Sequence, residues 1–405
     1  MTTRTLTLEQ ATVEHLSCTI DDFGPIPVQR PATVAELRAA VRGAASAGQA
    51  VYPLGARTML HVGLPPTRSG LGVDLRALDQ VIDYPARDMT ITVQAGITMA
   101  KLQAILQQEK QQLPIDVPAP EHATLGGALA ANVSGPRRYG YGTLRDYVIG
   151  ISVVNDQGEE AKAGGRVVKN VAGYDLCKLL IGSFGTLGVI TQVTLKLKPL
   201  AEAEALVDIP CTVGQLAAVL DLLHGSRTRP VSITAINGRI GPDEAGSLSL
   251  NYGGWSVLAG FAGSQTAVAW QVRQLLEELR AAGLKDSSAN LSPVTAQVHQ
   301  ALTDVAWSPY PGLTFKANLP ASRSADFLRA VEPLDLCLHA YAGNGIVIGH
   351  LNGARTLDDV QGVLRKVQEL AAGGNVVVLR CPAEWKRSLP IWGAPRGDAW
   401  LMRAV

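Results

Sequence analysis

Hydrophobic and polar positions alternate with two different periods along the first half of the chain. Val34, Leu37, Val41 and Ala44 recur at helical spacing. Thr33-Val34-Ala35-Glu36 ahead of them reads as a capping box, and Gly48 suits the C-terminal stop. Residues 50–54, Leu71–Leu75 and Thr90–Gln94 read as short strands. Thr98 is placed to cap a helix carrying Leu102, Ile105 and Leu106. Tyr147–Val154 is almost continuously apolar, the signature of a strand buried on both faces. From Val189 the pattern alternates: Val189, Val193, Leu195 and Leu197 share one face, and Gln192, Thr194, Lys196 and Lys198 share the other. That predicts a half-buried strand. Residues 1–24 show no clear pattern and are read as an N-terminal extension. Pro199 and the polar run AEAEA mark a domain boundary. Beyond it, helices are predicted near 212–224, 264–283 and 356–372. Strands are predicted near 230–236, 255–260, 312–318, 335–341 and 345–350. The second half therefore reads as an α+β layer, a sheet covered by helices on one face.

Between these elements lies an unusual glycine texture. The stretch TLGGALAANVSGPRRYGYGTLRD at 124–146 contains Gly126, Gly127, Gly135, Gly140 and Gly142, interleaved with hydroxyl, amide and charged side chains. It is answered by GSFGTLGVITQVTLKLKP at 182–199, with Gly182, Gly185 and Gly188. Glycines among polar groups let a ligand approach the main chain closely, and successive backbone N–H groups can cradle phosphate. No G-x-G-x-x-G follows a strand and no G-x-x-x-x-G-K-[ST] is present, so the two most familiar phosphate loops are excluded.

Composition narrows the class. Hydrophobic residues make up 47% and charged residues 18% of the 405 positions, enough apolar material for a large core in two domains. A formal net charge of +1 gives no electrostatic case for nucleic acid. The five cysteines at 18, 177, 211, 337 and 381 contain no C-x-x-C, which fits reduced thiols in a cytoplasm and argues against an iron–sulfur cluster held by this chain alone. The first residues lack an apolar signal core, and no run approaches the ~18 apolar residues of a membrane span.

Four segments, in order, resemble the FAD-binding domain of the vanillyl-alcohol oxidase and p-cresol methylhydroxylase (PCMH) type. They are YPLGARTML at 52–60, TITVQAGIT at 90–98, the 124–146 stretch and GGRVVKNVAGYDLCKLLIGSFGTLGVIT at 164–191. Within that family the likeness is to the FAD-binding E-type subunits of glycolate oxidase complexes, supported by PAEWKRSLPIWGAPRGDAWLMRAV at 382–405. The resemblance implies an α+β chain with a PCMH-type FAD-binding domain of two α+β subdomains at 25–199, an α+β cap at 200–380, and a segment 381–405 returning to the first domain. It also implies FAD contacts from Gly55, Ala56, Arg57, Thr58 and Met59 in the pyrophosphate loop. From the central stretch it implies contacts by Pro118, Thr124, Leu125, Gly126, Gly127, Asn132, Ser134, Gly135, Tyr141, Gly142 and Asp146, and from the last by Gly188, Val189 and Ile190. Gly126 and Gly127 would open a helix aimed at phosphate or a flavin carbonyl. Arg57 stands where covalent-flavin relatives carry His, so non-covalent FAD is expected. His61 is read as a polar loop residue, and Lys169, Asn170 and Asp175 as residues fixing a loop beside the flavin.

On the substrate side, relatives that oxidise 2-hydroxy acids carry an H-x-G-D-G-N-x-H type motif. Here HAYAGNGIVIGH at 339–350 keeps His339, Asn344 and His350 without the acidic residue. His339 is the candidate catalytic residue, sharing a strand face with Tyr341, and no metal site is expected. The implied activity is hydride transfer from glycolate or D-lactate to flavin. Electrons would pass on within a hetero-oligomer containing a second flavoprotein subunit and an iron–sulfur subunit, in the cytoplasm or membrane-associated through those subunits. The alternative is an auxiliary FAD-holding or non-enzymatic assembly subunit whose sister carries the substrate chemistry.

Overall fold

In the computed structural model, which describes residues 16–166, 175–237, 254–284, 288–291, 294–305, 307, 312–351, 356–395, 397 and 400–401, three main sheets form the scaffold. The first has four strands, in the spatial order Ser17–Ile20, Phe23–Gln29, Gly70–Asp74 and Ala50–Leu54. The helix Val34–Ser46 packs Leu37, Val41 and Ala44 onto it. Its start is fixed by Thr33, whose Oγ1 accepts from the Glu36 N–H at 3.2 Å. The Glu36 carboxylate reaches back one residue further, to the Ala32 N–H at 2.9 Å. The expected extension over 1–24 needs correction for its described part. Ser17–Ile20 alternates exposed and buried positions, and Cys18 and Ile20 join Ile26, Val28 and Leu54 in a small core. Four residues are too few for that alternation to stand out in a sequence.

The second sheet has five antiparallel strands, in the order Val81–Asp83, Thr90–Gln94, Val189–Lys196, Val148–Val154 and Glu160–Gly164. Val189–Lys196 is central rather than half-buried. Thr194 hydrogen-bonds Thr92 at 3.0 Å on one face, and Thr191 donates to the Ser152 carbonyl at 3.1 Å on the other. Polar side chains with good partners can be buried, so alternation in polarity here does not mean alternation in exposure. The helices Met99–Gln108 and Leu125–Ala130 close the core of this lobe.

The third sheet has eight strands, in the order Ser288–Leu291, Ala203–Cys211, Trp255–Gly263, Ser232–Ile236, Leu336–Tyr341, Ile346–Leu351, Leu313–Asn318 and Asn375–Arg380. The expected boundary run AEAEA is largely the start of strand Ala203–Cys211, paired in full with Trp255–Gly263. The helices Leu216–Gly225, Gln265–Ala281, Ser324–Val331 and Leu357–Leu370 cover one face with a single apolar core. The helix Val294–Val305 lies on the opposite face, where Val298 and Leu302 meet Leu206, Ile236 and Leu258, so helices occupy both sides. That second face turns toward the cofactor lobe: the Gly140 N–H donates to the Val231 carbonyl at 3.0 Å, and the Ala119 N–H to Asp304 at 2.9 Å. The fold is α+β. Among the described residues no helix is long and apolar enough to cross a membrane.

Candidate functional site

Between the first two sheets runs a narrow cleft of about 50 Å³, lined by Gly55, Thr124, Gly126, Gly127, Phe184 and Ile190 among others. A wider pocket of about 480 Å³ adjoins it, sharing Pro53, Gly185 and Gly188 and adding Val189. Of the residues expected to share one ligand, Gly55, Thr124, Gly126, Gly127, Gly188, Val189 and Ile190 line this groove of two adjoining pockets.

Hydrogen bonding within the groove redistributes the expected roles. Thr124 caps the helix Leu125–Ala130, its Oγ1 accepting from the Gly127 N–H at 3.2 Å. The Leu125 N–H donates to the Ile97 carbonyl at 2.9 Å, and the Gly126 N–H to the Ala95 carbonyl at 2.7 Å. All three leading donors of this helix are thus taken by protein acceptors, and the expectation that the helix start donates to phosphate or flavin is corrected. The space beside Gly126 is also occupied: a Cβ there would lie 2.9 Å from the Ala95 Cβ and 3.0 Å from its carbonyl oxygen. Gly126 serves close packing of helix on strand. Gly127 is exposed, with only Thr124 Oγ1 within reach of an added Cβ, at 3.1 Å. Leu125 is fully buried in the lobe's core and turns away from the groove.

Unused donors are found instead on the loop after Ala50–Leu54. Among the described residues the backbone N–H groups of Ala56, Arg57, Thr58 and Met59 donate to no protein group, and all four residues are half-buried. Arg57 sits in the left-handed region at φ 65°, its guanidinium reaching the Ser17 carbonyl at 3.4 Å while Nε stays buried without a partner. Ser183 Oγ is likewise buried and unpartnered, next to the groove residue Phe184. Such orphaned polar atoms around a glycine-lined groove fit a phosphate-bearing ligand.

The remaining expected contacts are placed as follows. Pro118 is buried, and Asn132 is exposed at φ 50° beside Gly182. Ser134 Oγ accepts from Arg138 at 2.9 Å, and Gly135 backs onto Asp116 and Thr303. The Tyr141 carbonyl accepts from the Tyr147 hydroxyl at 2.8 Å. Beyond Gly142, Asp146 accepts from the Thr143 N–H at 2.8 Å and hydroxyl at 3.1 Å, so its carboxylate closes a local capping box. Asp175 caps the helix Leu176–Leu180, accepting from the Lys178 N–H at 3.4 Å. Lys169 and Asn170 lie outside the described residues. His61 turns its ring to Arg380, with Nδ1 3.1 Å from a guanidinium nitrogen.

On the cap face opposite the four-helix layer, His339 is fully buried with Nδ1 unpartnered. Its ring lies edge-on to His350 at 5.9 Å, and Nε2 is 3.9 Å from Cys337 Sγ. Burial and the nearby His350 hold His339 down to about 3, and burial holds His350 down to about 4, where Nδ1 meets Thr314 Oγ1 at 3.0 Å. Both rings are neutral at neutral pH. The Tyr341 hydroxyl, on the same face, is buried without a partner, and burial pushes it above the usual tyrosine range. Sequence reading missed the neighbouring cation Lys316. Burial lowers its pKa, and the charge of Arg138 on the other lobe lowers it further. Neither Lys316 nor Arg138 forms an ion pair among the described residues. A signal existed: a lysine stands directly between Phe315 and Ala317 in a strand whose neighbouring positions are buried. Among the described residues no three His, Cys, Asp or Glu side chains converge to hold a metal ion.

Fold and groove define a two-lobed nucleotide-binding protein with a sheet-built cap. Residues 25–164 match the family described as FAD binding domain. The chain is 36% identical over 173 residues to a D-2-hydroxyglutarate dehydrogenase of Xanthomonas citri pv. viticola, covering 43% of this chain and 37% of that protein. It is 37% identical over 146 residues to the glycolate oxidase subunit GlcE of Escherichia coli, covering 36% and 41%. It is also 36% identical over 160 residues to a D-lactate dehydrogenase of Anaerostipes hadrus, covering 40% and 34%. The matched stretch spans only about two fifths of these relatives' own length. Among solved structures, an alkyldihydroxyacetonephosphate synthase superposes with a TM-score of 0.65 at 17% identity, over 93% of this chain and 74% of that one, a likeness of fold. Residues 25–164 thus form a domain of the FAD-binding type, similar to that of FAD-linked oxidases, and FAD is its cofactor.

Proposed function

We propose that this chain is the FAD-holding part of an oxidoreductase that converts a small 2-hydroxy acid, glycolate or D-lactate, to the 2-oxo acid. One observation carries the reading. Arg138 and Lys316, half-buried on opposite lobes, are near enough for the charge of Arg138 to lower the Lys316 pKa; neither forms an ion pair among the described residues, and the unpartnered Tyr341 hydroxyl lies on the same sheet face as Lys316. Two half-buried cations without an ion-pair partner among the described residues are suited to a carboxylate. The names of the relatives are consistent with it, since hydroxyglutarate, glycolate and lactate are all 2-hydroxy carboxylates.

Bound FAD would supply a two-electron hydride acceptor. The N–H groups of 56–59 are suited to its pyrophosphate, and a non-covalent cofactor is read from Arg57, which stands where covalent-flavin relatives carry His, and from the His61 ring turned to Arg380. Arg138 and Lys316 hold the substrate carboxylate and thereby fix the α-carbon. The Tyr341 hydroxyl donates to the bound anion. His339, neutral and with Nδ1 open, accepts the hydrogen bond of the substrate hydroxyl and aligns its proton for removal. The buried sheet face keeps water out. Electrons then leave for a hetero-oligomeric partner with iron–sulfur centres.

A second reading has its own support. An imidazole held near 3, with no carboxylate beside it, is a weak general base. In that reading the chain stores FAD and a sister subunit does the substrate chemistry. Anaerobic addition of glycolate or D-lactate to the purified yellow chain decides: saturable bleaching that disappears in Lys316→Met at unchanged flavin content supports the proposal. Absent bleaching, with turnover restored only by partner subunits, supports the sister-subunit reading. A colourless chain that cannot be reconstituted removes both.

A further inference from the structure

The segment 380–393 ties the cap to the cofactor groove in a way the proposed chemistry does not use. Its own anchor is the cap: Leu389 and Ile391 are buried in the cap core, and the Val378 N–H donates to the Ile391 carbonyl at 2.8 Å. From that anchor two side chains reach the other lobe. Lys386 is 2% exposed. Its ammonium meets both Asp21 carboxylate oxygens, at 2.8 and 2.7 Å, and the His61 carbonyl at 2.8 Å. All three of its protons have acceptors. Arg380, at the base of the segment, holds the His61 ring. Six residues beyond Lys386, the partly exposed Trp392 sets its indole against Gly63: a Cβ there would come within 2.9 Å of the ring, so glycine favours the approach. The same indole meets Phe184 edge-on at 5.6 Å.

These contacts converge on the ends of one loop. His61 and Gly63 close the 55–63 loop that offers the free N–H groups, Asp21 turns the hairpin whose Ser17 carbonyl holds Arg57, and Phe184 lines the groove from the far side. We propose that residues 380–393 form a clasp, with Lys386 as its positioning residue and Trp392 as its bar, which holds the 55–63 loop in the conformation that receives the FAD pyrophosphate. The inference rests on the reading of that groove as the FAD site. It makes cofactor retention depend on a segment that lies outside the lining of the groove. Removing one partner of a buried ion pair would leave an uncompensated charge, whereas removing both need not unfold the lobe.

The test uses the full chain with three variants: Asp21→Asn combined with Lys386→Met, Trp392→Ala alone, and Lys386→Arg as the conservative control. Two readouts are followed, FAD release on dilution by the rise of free-flavin fluorescence, and tryptic cleavage after Arg57 in the apo chain. The clasp predicts at least tenfold faster release and correspondingly faster cleavage in the first two variants. The thermal midpoints of the apo proteins should stay near wild type, and Lys386→Arg should stay close to wild type in both readouts. Unchanged cleavage in folded variants overturns it, as does faster cleavage without faster release in a chain that binds FAD. If the wild-type chain takes up no FAD, the cofactor reading of the groove fails, and the cleavage readout still decides the clasp.

Discussion

On one face of the cap sheet stand Phe315, Leu338 and Val347; on the other, one residue along on the same strands, stand Lys316, His339 and Ile348. Both sets are largely out of contact with solvent. The first set meets helices and forms a continuous apolar core, while the second meets the cofactor lobe and keeps a lysine, two histidines and a tyrosine hydroxyl with few partners. Period-two alternation thus separates two kinds of interior, one built for stability and one that carries a desolvation penalty a ligand can relieve.

The largest expected effect lies on the stabilising face. Phe315 is fully buried and packs its ring on Gly349, where a Cβ would come within 2.3 Å. Phe315→Ala should cost about 3–5 kcal/mol in chemical denaturation, as for other large-to-small core changes. A loss below about 1 kcal/mol would mean that the two faces do not differ in this way.

Acid should act on the other face. His339 and His350 there, and His299 on the helix covering it, all have folded-state pKa values below 6.5, at about 3, 4 and 4, chiefly through burial. The unfolded chain therefore takes up these protons first. Their contribution is fully present above about pH 6.5 and is lost as pH falls toward 4, each adding a slope of up to about 1.4 kcal/mol per pH unit. Thermal midpoints measured from pH 7 to pH 4 should fall steeply, and less steeply in His299→Gln. A flat profile would contradict the neutral, buried state of these rings.

Lys316→Met separates stability from function most directly. It removes a half-buried charge with no ion pair among the described residues, so the midpoint should hold or rise. The KM for the hydroxy acid, in whatever assembly turns over, should rise at least tenfold, about 1.4 kcal/mol. Loss of stability with unchanged KM would reverse the assignment of this face.

A smaller contrast of the same kind exists in the groove, between adjacent glycines. Gly127→Asp projects a carboxylate into open space near the expected phosphates and should weaken FAD binding about tenfold in a folded protein. Gly126→Ala meets Ala95 and should lower the thermal midpoint more than it changes FAD affinity measured on the folded fraction. The opposite ranking in an FAD titration of both variants would return the ligand-facing role to Gly126.

Local rules made much of the scaffold readable. Thr33 and Thr98 do cap the helices Val34–Ser46 and Met99–Gln108, and the strands Ala50–Leu54 and Thr90–Gln94 lie where short apolar runs predict them. Each depends on neighbours within a few residues, which is what propensity and periodicity record. The strand Ala203–Cys211 escaped because its first residues look like a solvated linker. Its identity as a strand comes from nine cross-strand pairings with residues more than forty positions away. The family motifs pointed to the groove and to FAD, but they could not say that the Gly126 N–H is already bonded to Ala95 while the N–H groups of 56–59 find no acceptor among the described residues. Nor could they bring Arg138 to Lys316 or Lys386 to Asp21, pairs whose members come from different lobes. The sequence by itself determined the elements, the cofactor class and which residues are able to carry charge. Only the tertiary structure decided which donors remain free and which cations lack a partner, because hydrogen-bond saturation and desolvation are properties of the assembled environment and not of the residue.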